Sequence, residues 1–319
     1  MVLTLENILE SVEKEQAKKS DVDTKLNLIS PSIEDNELRL RFDGRNVGTT
    51  KNGESSFLSS INVPTPFFRR CSADLKKDIL NEHFPRNNKK EVKLRLIDDR
   101  VRYMASSKYS IFDDVDVVRC LSKVPAFNDY NGLTARTFHQ SEEYLVLRLT
   151  TKDPIYDKGK RLMYPGVHIS NSEIGKSSVY IGFCLFEQIC TNGMMATSKS
   201  FRPFRQRHIG KKGEEELRVA ATKAIDNLGN FASVMSDHLH KMSQVPADKM
   251  MKVILEDVSG IPKVVKDKLK EKTDLYMELY GEESGLEVLS AYTEIARDLD
   301  WDRRLENEFV AGHLLEEFS

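Results

Sequence analysis

Cysteine, tryptophan and long apolar runs are all scarce in this 319-residue chain, which has four cysteines and one tryptophan. Cys71, Cys120, Cys184 and Cys190 form neither a CxxC pair nor a regular framework, which excludes a zinc ribbon and a disulfide-stapled scaffold and points to a reducing cytoplasm. Cys184 and Cys190 lie six apart in an apolar segment and read as small buried residues rather than metal ligands. No apolar stretch approaches the roughly 20 residues that span a bilayer, and the N-terminus lacks an apolar leader core. A cytoplasmic protein without a membrane partner is therefore expected. HExxH and EF-hand spacings are also missing, and His238 and His240 stand two apart on an expected helix, where their side chains diverge. No metal and no other cofactor is expected.

Charge of one sign is lacking as well. The net charge is −2, so any contact with nucleic acid must come from a local patch rather than from bulk charge. The distribution is nevertheless uneven: Arg86 to Lys108 and Lys199 to Lys212 are basic, whereas nine acids face three arginines from Gly285 onward. A phosphate-binding P-loop is imitated by Gly175-Lys176-Ser177, but the motif needs a glycine at position 170, which is Ser170. A tight turn over Asn171 to Lys176 remains, whose backbone amides and Lys176 are candidates to accept one phosphate, with a plain turn as the alternative. Asp98, Asp99, Asp113 and Asp114 would have to converge to make a two-metal carboxylate site. Paired acids in turns more often stay solvated, and no catalytic residue is assigned. His168 on a strand and His208 in the basic run are the histidines placed where chemistry could use them, His208 best as a further phosphate contact.

What is present concentrates between Met163 and Lys212. Tyr180 to Cys190 is rich in aromatic and β-branched residues and is bounded by polar turns, as a buried strand is. Thr191-Asn192-Gly193 then predicts a hairpin turn, because both Asn and Gly tolerate positive φ, with Met194 to Ser198 returning beside the strand. The run that follows carries Lys199, Arg202, Arg205, Arg207, Lys211 and Lys212, with Phe201 and Phe204 inside it and no acid. Cations that track phosphates, interleaved with rings that stack on unpaired bases, are what single-stranded nucleic acid requires. The run also leads into a helix whose N-terminal amides attract anions, although Glu214, Glu215 and Glu216 stand at that helix start and would repel a phosphate. The alternative is a solvated loop that two phenylalanines anchor to the core.

The segments HISNSEIGKSS, LFEQICTNGMM and RHIG, with FLSSINVPTPFFRRC and VRYMASSKYSIFDD upstream and LSAYTEIARD downstream, resemble a family of phage and plasmid proteins known as domain of unknown function 932. The resemblance covers the chain from about Gly53 to its end. It implies a phage or plasmid setting, and hence a host cytoplasm if the protein is phage-encoded, but no activity. A sheet with a basic loop leading into a helix is also similar in outline to single-strand annealing proteins of the RecT type, an analogy at the level of fold.

The fold expected is α+β, a mostly antiparallel sheet flanked by helices with a helical C-terminal part. Leu3 to Lys18 reads as an amphipathic helix, Ser20 to Pro31 as a linker, Glu37 to Phe42 as a strand and Asp43 to Gly53 as a polar loop. Pro64 to Phe84 reads as one helix, Lys89 to Ser106 as two strands around Asp98-Asp99, Val115 to Val124 as a short helix, and Ala135 to His139 and Tyr144 to Thr150 as strands. Glu215 to Lys241 reads as one long amphipathic helix, with Leu217, Ala221, Ala224, Leu228, Phe231 and Met235 at three- and four-residue spacing. Four more helices follow Pro246. This patterning divides the chain into residues 1–52 (helix, linker and first strand), 53–245 (α+β core with the basic loop) and 246–319 (helical region). Two functional classes follow: a sequence-independent binder of nucleic acid, single-stranded DNA foremost, in phage or plasmid replication or recombination; or an enzyme on nucleic acid or nucleotides with an unrecognised site. An assembly or host-interaction protein is a third. A binder that covers a strand gains from repetition, so a homo-oligomer is expected.

Overall fold

The structure is a computed structural model that describes residues 3–84, 89–110, 112–127, 132–158, 161–188, 192–195, 201–208 and 213–318. In chain order the first half contains α1 (Leu5–Gln16), β1 (Lys19–Lys25), β2 (Ser30–Glu34), β3 (Glu37–Phe42), β4 (Arg45–Thr49), α2 (Lys51–Ser60), α3 (Thr65–Arg70), α4 (Ala73–His83), β5 (Glu91–Ile97), β6 (Arg100–Ser106) and α5 (Asp114–Ser122). The strands that follow are β7 (Leu133–Gln140), β8 (Leu145–Thr151), β9 (Tyr156–Lys158), β10 (Arg161–Asn171), β11 (Val179–Glu187), β12 (Asn192–Met195) and β13 (Phe204–Gln206). The remaining helices are α6 (Glu214–Asp226), α7 (Leu228–Met242), α8 (Ala247–Lys252), α9 (Lys263–Tyr280), α10 (Gly285–Arg297) and α11 (Trp301–Glu317). The protein is α+β, with mostly antiparallel sheets flanked by helices and a helical C-terminal part. No helix among the described residues is long and apolar enough to cross a membrane.

Two sheets build the molecule. The first runs β1-β5-β6-β4-β3-β2, antiparallel except where β4 meets β6, and buries Leu38, Leu40, Leu94, Leu96 and Val101 with Phe57 of α2 and Leu80 of α4. The second runs β12-β11-β10-β8-β7, with β9 on β10 and β13 on β11. Its larger core gathers Leu147, Val167, Ile181 and Phe183 with residues of α1, α5, α6, α7, α10 and α11. The cores therefore cross the divisions drawn from patterning. Residue 53 falls inside α2, α1 packs with the second sheet, and the helices after Pro246 share that sheet's core rather than forming a separate bundle.

Local departures have physical reasons. Ser20 to Lys25, expected as linker, is strand β1, in register with β5 from Lys19 opposite Ile97 to Lys25 opposite Glu91. Its weak alternation hid it, since Arg95 of β5 binds the side chain of Asp21 where a hydrophobic contact would usually hold the pair. The loop expected over Asp43 to Gly53 contains only a two-residue turn with positive φ at Asp43 and Gly44, followed by β4 and by α2, whose N-cap Thr50 accepts from the Gly53 amide. The helix expected over Pro64 to Phe84 breaks at extended Cys71, because Ser72 caps α4 by accepting from Leu75. Asn192 and Gly193 are not the hairpin turn. They lie in β12 opposite Glu187 and Phe186. Gly193 is needed for close approach, since a Cβ there would lie 2.8 Å from a terminal nitrogen of Arg148.

Helix α11 is fastened to the second sheet by charge. Arg148 of β8 is fully buried and pairs with both carboxylate oxygens of buried Glu308, which Arg304 also contacts at 3.0 Å. Removing one partner of such a pair strands the other in a low dielectric, so Glu308→Gln is expected to destabilise the fold by about 3–5 kcal/mol. Urea unfolding followed by circular dichroism checks this, and a midpoint equal to the parent's would refute it.

Candidate nucleic-acid interface

The basic run divides into residues that reach solvent and residues that do not. Phe201 is buried, with its ring centroid 5.5 Å from Phe183 and 5.3 Å from Phe231. It is a core residue that also lines the groove between β13 and α6, with 3% of its surface exposed, which leaves little of its ring for the contact with a base expected of it. His208 is buried too, stacked on Tyr109 at 5.4 Å, and its carbonyl accepts from the amide of Ser110. Burial lowers its pKa against the raising influence of the Ser110 and Ser177 backbones, so it is a poor phosphate contact near neutrality. Lys199, Lys211 and Lys212 lie outside the described residues.

Arg202, Arg205 and Arg207 are exposed. The short strand β13 explains how. Its pairing sets Phe204 opposite Ile181, Arg205 opposite Tyr180 and Gln206 opposite Val179. Because side chains alternate across a strand, half-buried Phe204 faces the hydrophobic core while Arg205 points to the other side, its guanidinium 5.4 Å from the Tyr180 ring. Between β13 and α6 runs a groove of about 680 Å³, lined among others by Phe204, Arg202, Glu216, Val219 and Lys223. Val219 is exposed on its wall. Glu215 at the helix start is held by Arg218, with N–O distances of 2.7 to 3.0 Å.

The Asn171 to Lys176 turn does not offer free amides throughout. Gly175, at φ +73°, donates its N–H to the Ser172 carbonyl, and the Lys176 N–H donates to the Ser172 hydroxyl. The Lys176 ammonium is paired with Glu143 at 2.7 Å. A plain turn is the better description. Its tip serves another purpose that the sequence did not reveal. Buried Glu173 reaches into the first sheet and accepts from Lys19 of β1 at 2.8 Å and Arg102 of β6 at 2.6 Å, with Arg95 of β5 at 3.4 Å. Its Oε1 also accepts the backbone N–H of Asp114 at 2.8 Å.

Asp114 completes this cluster. Its carboxylate is buried and accepts from the Asn171 amide at 2.8 Å. Burial first, then the Glu173 charge, pushes its pKa up to about 7, whereas the three cations hold Glu173 down near about 2 despite burial. The disfavoured alternative, a convergence of Asp98, Asp99, Asp113 and Asp114 on metal, is not found. Asp113 binds Arg95 and Gln16, and no group of metal-ligating side chains occurs among the described residues. His168 is buried with Nδ1 accepting from Arg148 at 3.1 Å, and burial beside that cation drives its pKa well down. Burial likewise pushes the Cys184 thiol up to about 12, so it is inert at neutral pH. Cys190 is outside the described residues.

No protein-family model, curated protein or solved structure matches this chain. The resemblance to domain of unknown function 932 accordingly rests on its motifs alone.

The acid pair makes a prediction about pH. Asp114 binds its proton more tightly folded than unfolded, so its contribution is full below its ordinary value of 3.8 and is lost as pH rises through about 7. Glu173 has the opposite sign: its contribution is full above 4.5 and is lost as pH falls toward about 2. From pH 5 to 8 Asp114 therefore lowers the melting temperature as pH rises, while buried His168 and His208, whose pKa values are lowered, act in the opposite direction. Asp114→Asn should remove the falling component, so the variant's melting temperature should rise more, or fall less, over this range than the parent's. Parallel profiles in the parent and the variant would show that Asp114 does not titrate in this window.

Proposed function

We propose that this protein binds single-stranded nucleic acid without reading its sequence, DNA of phage or plasmid replication or recombination being the substrate that the resemblance suggests. Phosphates lie along Arg202, Arg205 and Arg207, and one base packs on Phe204 in the groove between β13 and α6. The observation that carries this reading is that exposed Arg202 lines the same open groove as half-buried Phe204, with exposed Arg205 and Arg207 following along the same short segment. Charge at the rim and a ring in the groove are the two elements that grip a flexible strand whose bases are unpaired. A duplex hides its base faces, so the same surface holds it by charge alone.

Replacing Arg202, Arg205 and Arg207 by glutamate should abolish binding of single-stranded oligonucleotides while leaving the far-ultraviolet circular dichroism unchanged. The three arginines alone account for a slope of about −2 in log affinity against log salt, from roughly 0.7 per phosphate. Phe204→Ala should remove stacking worth about 1–3 kcal/mol and leave that slope unaltered. Fluorescence anisotropy with labelled oligonucleotides at several salt concentrations measures all three. A folded glutamate variant that binds as well as the parent would overturn the reading.

A further inference from the structure

The three exposed arginines are not equivalent. Arg205 alone has a ring beneath it among the described residues. Tyr180 stands directly opposite it in the β11–β13 register, with the guanidinium carbon 5.4 Å from the ring centroid. A guanidinium seated on an aromatic face gains cation–π attraction and loses rotamer freedom before any ligand arrives. No hydrogen bond or ion pair with another described residue occupies its N–H edges, which can form a fork toward an anion.

The ring itself is firmly placed. Tyr180 is 7% exposed and is met edge-on by His168 at 5.7 Å and by Phe309 of α11 at 6.0 Å. Its hydroxyl lies over Gly182, where any Cβ would fall 2.3 Å from the oxygen, so only glycine leaves room for it. His168 is in turn held by Arg148, and Arg148 by Glu308 of α11. The Tyr180 hydroxyl is buried and has no hydrogen-bond partner among the described residues. No polar contact among them fixes the side chain, so its contribution to this surface resides in the ring face.

We propose that Tyr180 is a positioning residue that presets Arg205 as the directed phosphodiester contact of this surface, while Arg202 and Arg207 supply charge without fixed direction. The proposal rests on the nucleic-acid reading above. A preset guanidinium loses less freedom on binding than a mobile one. Removing the ring therefore lowers affinity with all three positive charges still in place.

The experiment is a set of binding isotherms for one single-stranded oligonucleotide, by anisotropy, at several salt concentrations. Tyr180→Phe should match the parent, because the hydroxyl has no partner among the described residues. Mono-, di- and trifluorinated phenylalanine at position 180 should weaken binding stepwise, since fluorine drains the ring face without changing its shape. Tyr180→Leu should weaken binding by about three- to tenfold with an unchanged salt slope, the size of a partly exposed cation–π contact. Arg205→Ala should cost much less beside Tyr180→Leu than in the parent, whereas Arg202→Ala should cost the same in both backgrounds. Affinity indifferent to fluorination would overturn the proposal even if Tyr180→Leu fails to fold, and so would an equal cost of Arg205→Ala in both backgrounds. If the parent binds no single strand at all, the nucleic-acid reading falls and the positioning role falls with it. If the parent binds and fluorination has no effect, only the positioning role is lost.

Discussion

One buried carboxylate joins the two halves of this protein. Glu173 leaves the second sheet at the tip of the β10–β11 turn and enters the first sheet, where cations from three neighbouring strands, Lys19, Arg95 and Arg102, converge on it. An acid at such depth would protonate without them, and each cation would be stranded without the acid. Asp21 and Asp113 complete the shell around Arg95. Three cations thus face three carboxylates before Asp114 is counted, and a fourth negative charge has no buried partner left. The upward drift of the Asp114 pKa follows from that balance as well as from its burial. Because Tyr109 leans on this turn through hydrogen bonds to the Ser172 and Glu173 carbonyls and also stacks on His208, the end of the basic segment is placed relative to the junction.

The same device recurs at the helical end. Arg161 of β10 binds Glu187 of β11 and Glu287 of α10, with its guanidinium 3.9 Å from the Tyr280 ring, while Arg148 binds Glu308 of α11. Hydrophobic contact supplies most of the burial in the larger core, but it is tolerant of sliding. A buried guanidinium is not, because a small shift leaves a charge unpaired in a low dielectric. Glu287 also accepts from the Ser284 amide and hydroxyl in a capping box, so one side chain begins α10 and docks it.

Strong periodicity was readable in advance, and polar structure was not. The stripe of Leu5, Ile8 and Val12 located α1, alternation of Val92, Leu94 and Leu96 located β5, and Leu217 through Met235 located a helical stretch, although it reads as one long helix where the structure breaks at Asn227 into α6 and α7. Strand β1 escaped because Val22 is its one apolar residue, with the pairs Asp21–Arg95 and Asp23–Lys93 standing where further hydrophobic contacts to β5 would mark a strand. The Asn192-Gly193 pair misled because a glycine permits a turn and also permits a neighbour's approach, and only the position of Arg148 decides between them. At the candidate interface the basic residues were legible as a run, yet their division was not. Phe201 and Phe204 look alike in sequence, and it is the three-residue pairing of β13 with β11 that leaves one half-buried beside a groove while the other enters the core. Glu173, Arg148 and Arg161 gave no signal at all, since a charged residue looks the same in sequence whether its partner is water or an opposite charge on another element.

That distance matters for how the molecule assembles. Arg148 and Glu308 are 160 residues apart, Tyr144 and Asp302 are 158 apart, and Arg161 and Glu287 are 126 apart. Each tie closes a loop spanning more than a third of the chain, and loop closure must be met from entropy before the contact stabilises anything. Chains dominated by such distant pairings fold slowly. Until α11 arrives, the charged face of the second sheet carries Arg148 without its acid and Tyr180 without Phe309. The apolar core of the first sheet uses nothing after Met104, but its buried cations Lys19, Arg95 and Arg102 still wait on Glu173 of the β10–β11 turn. The surface that carries Arg205 is likewise complete only once Phe309 of α11 has closed on Tyr180.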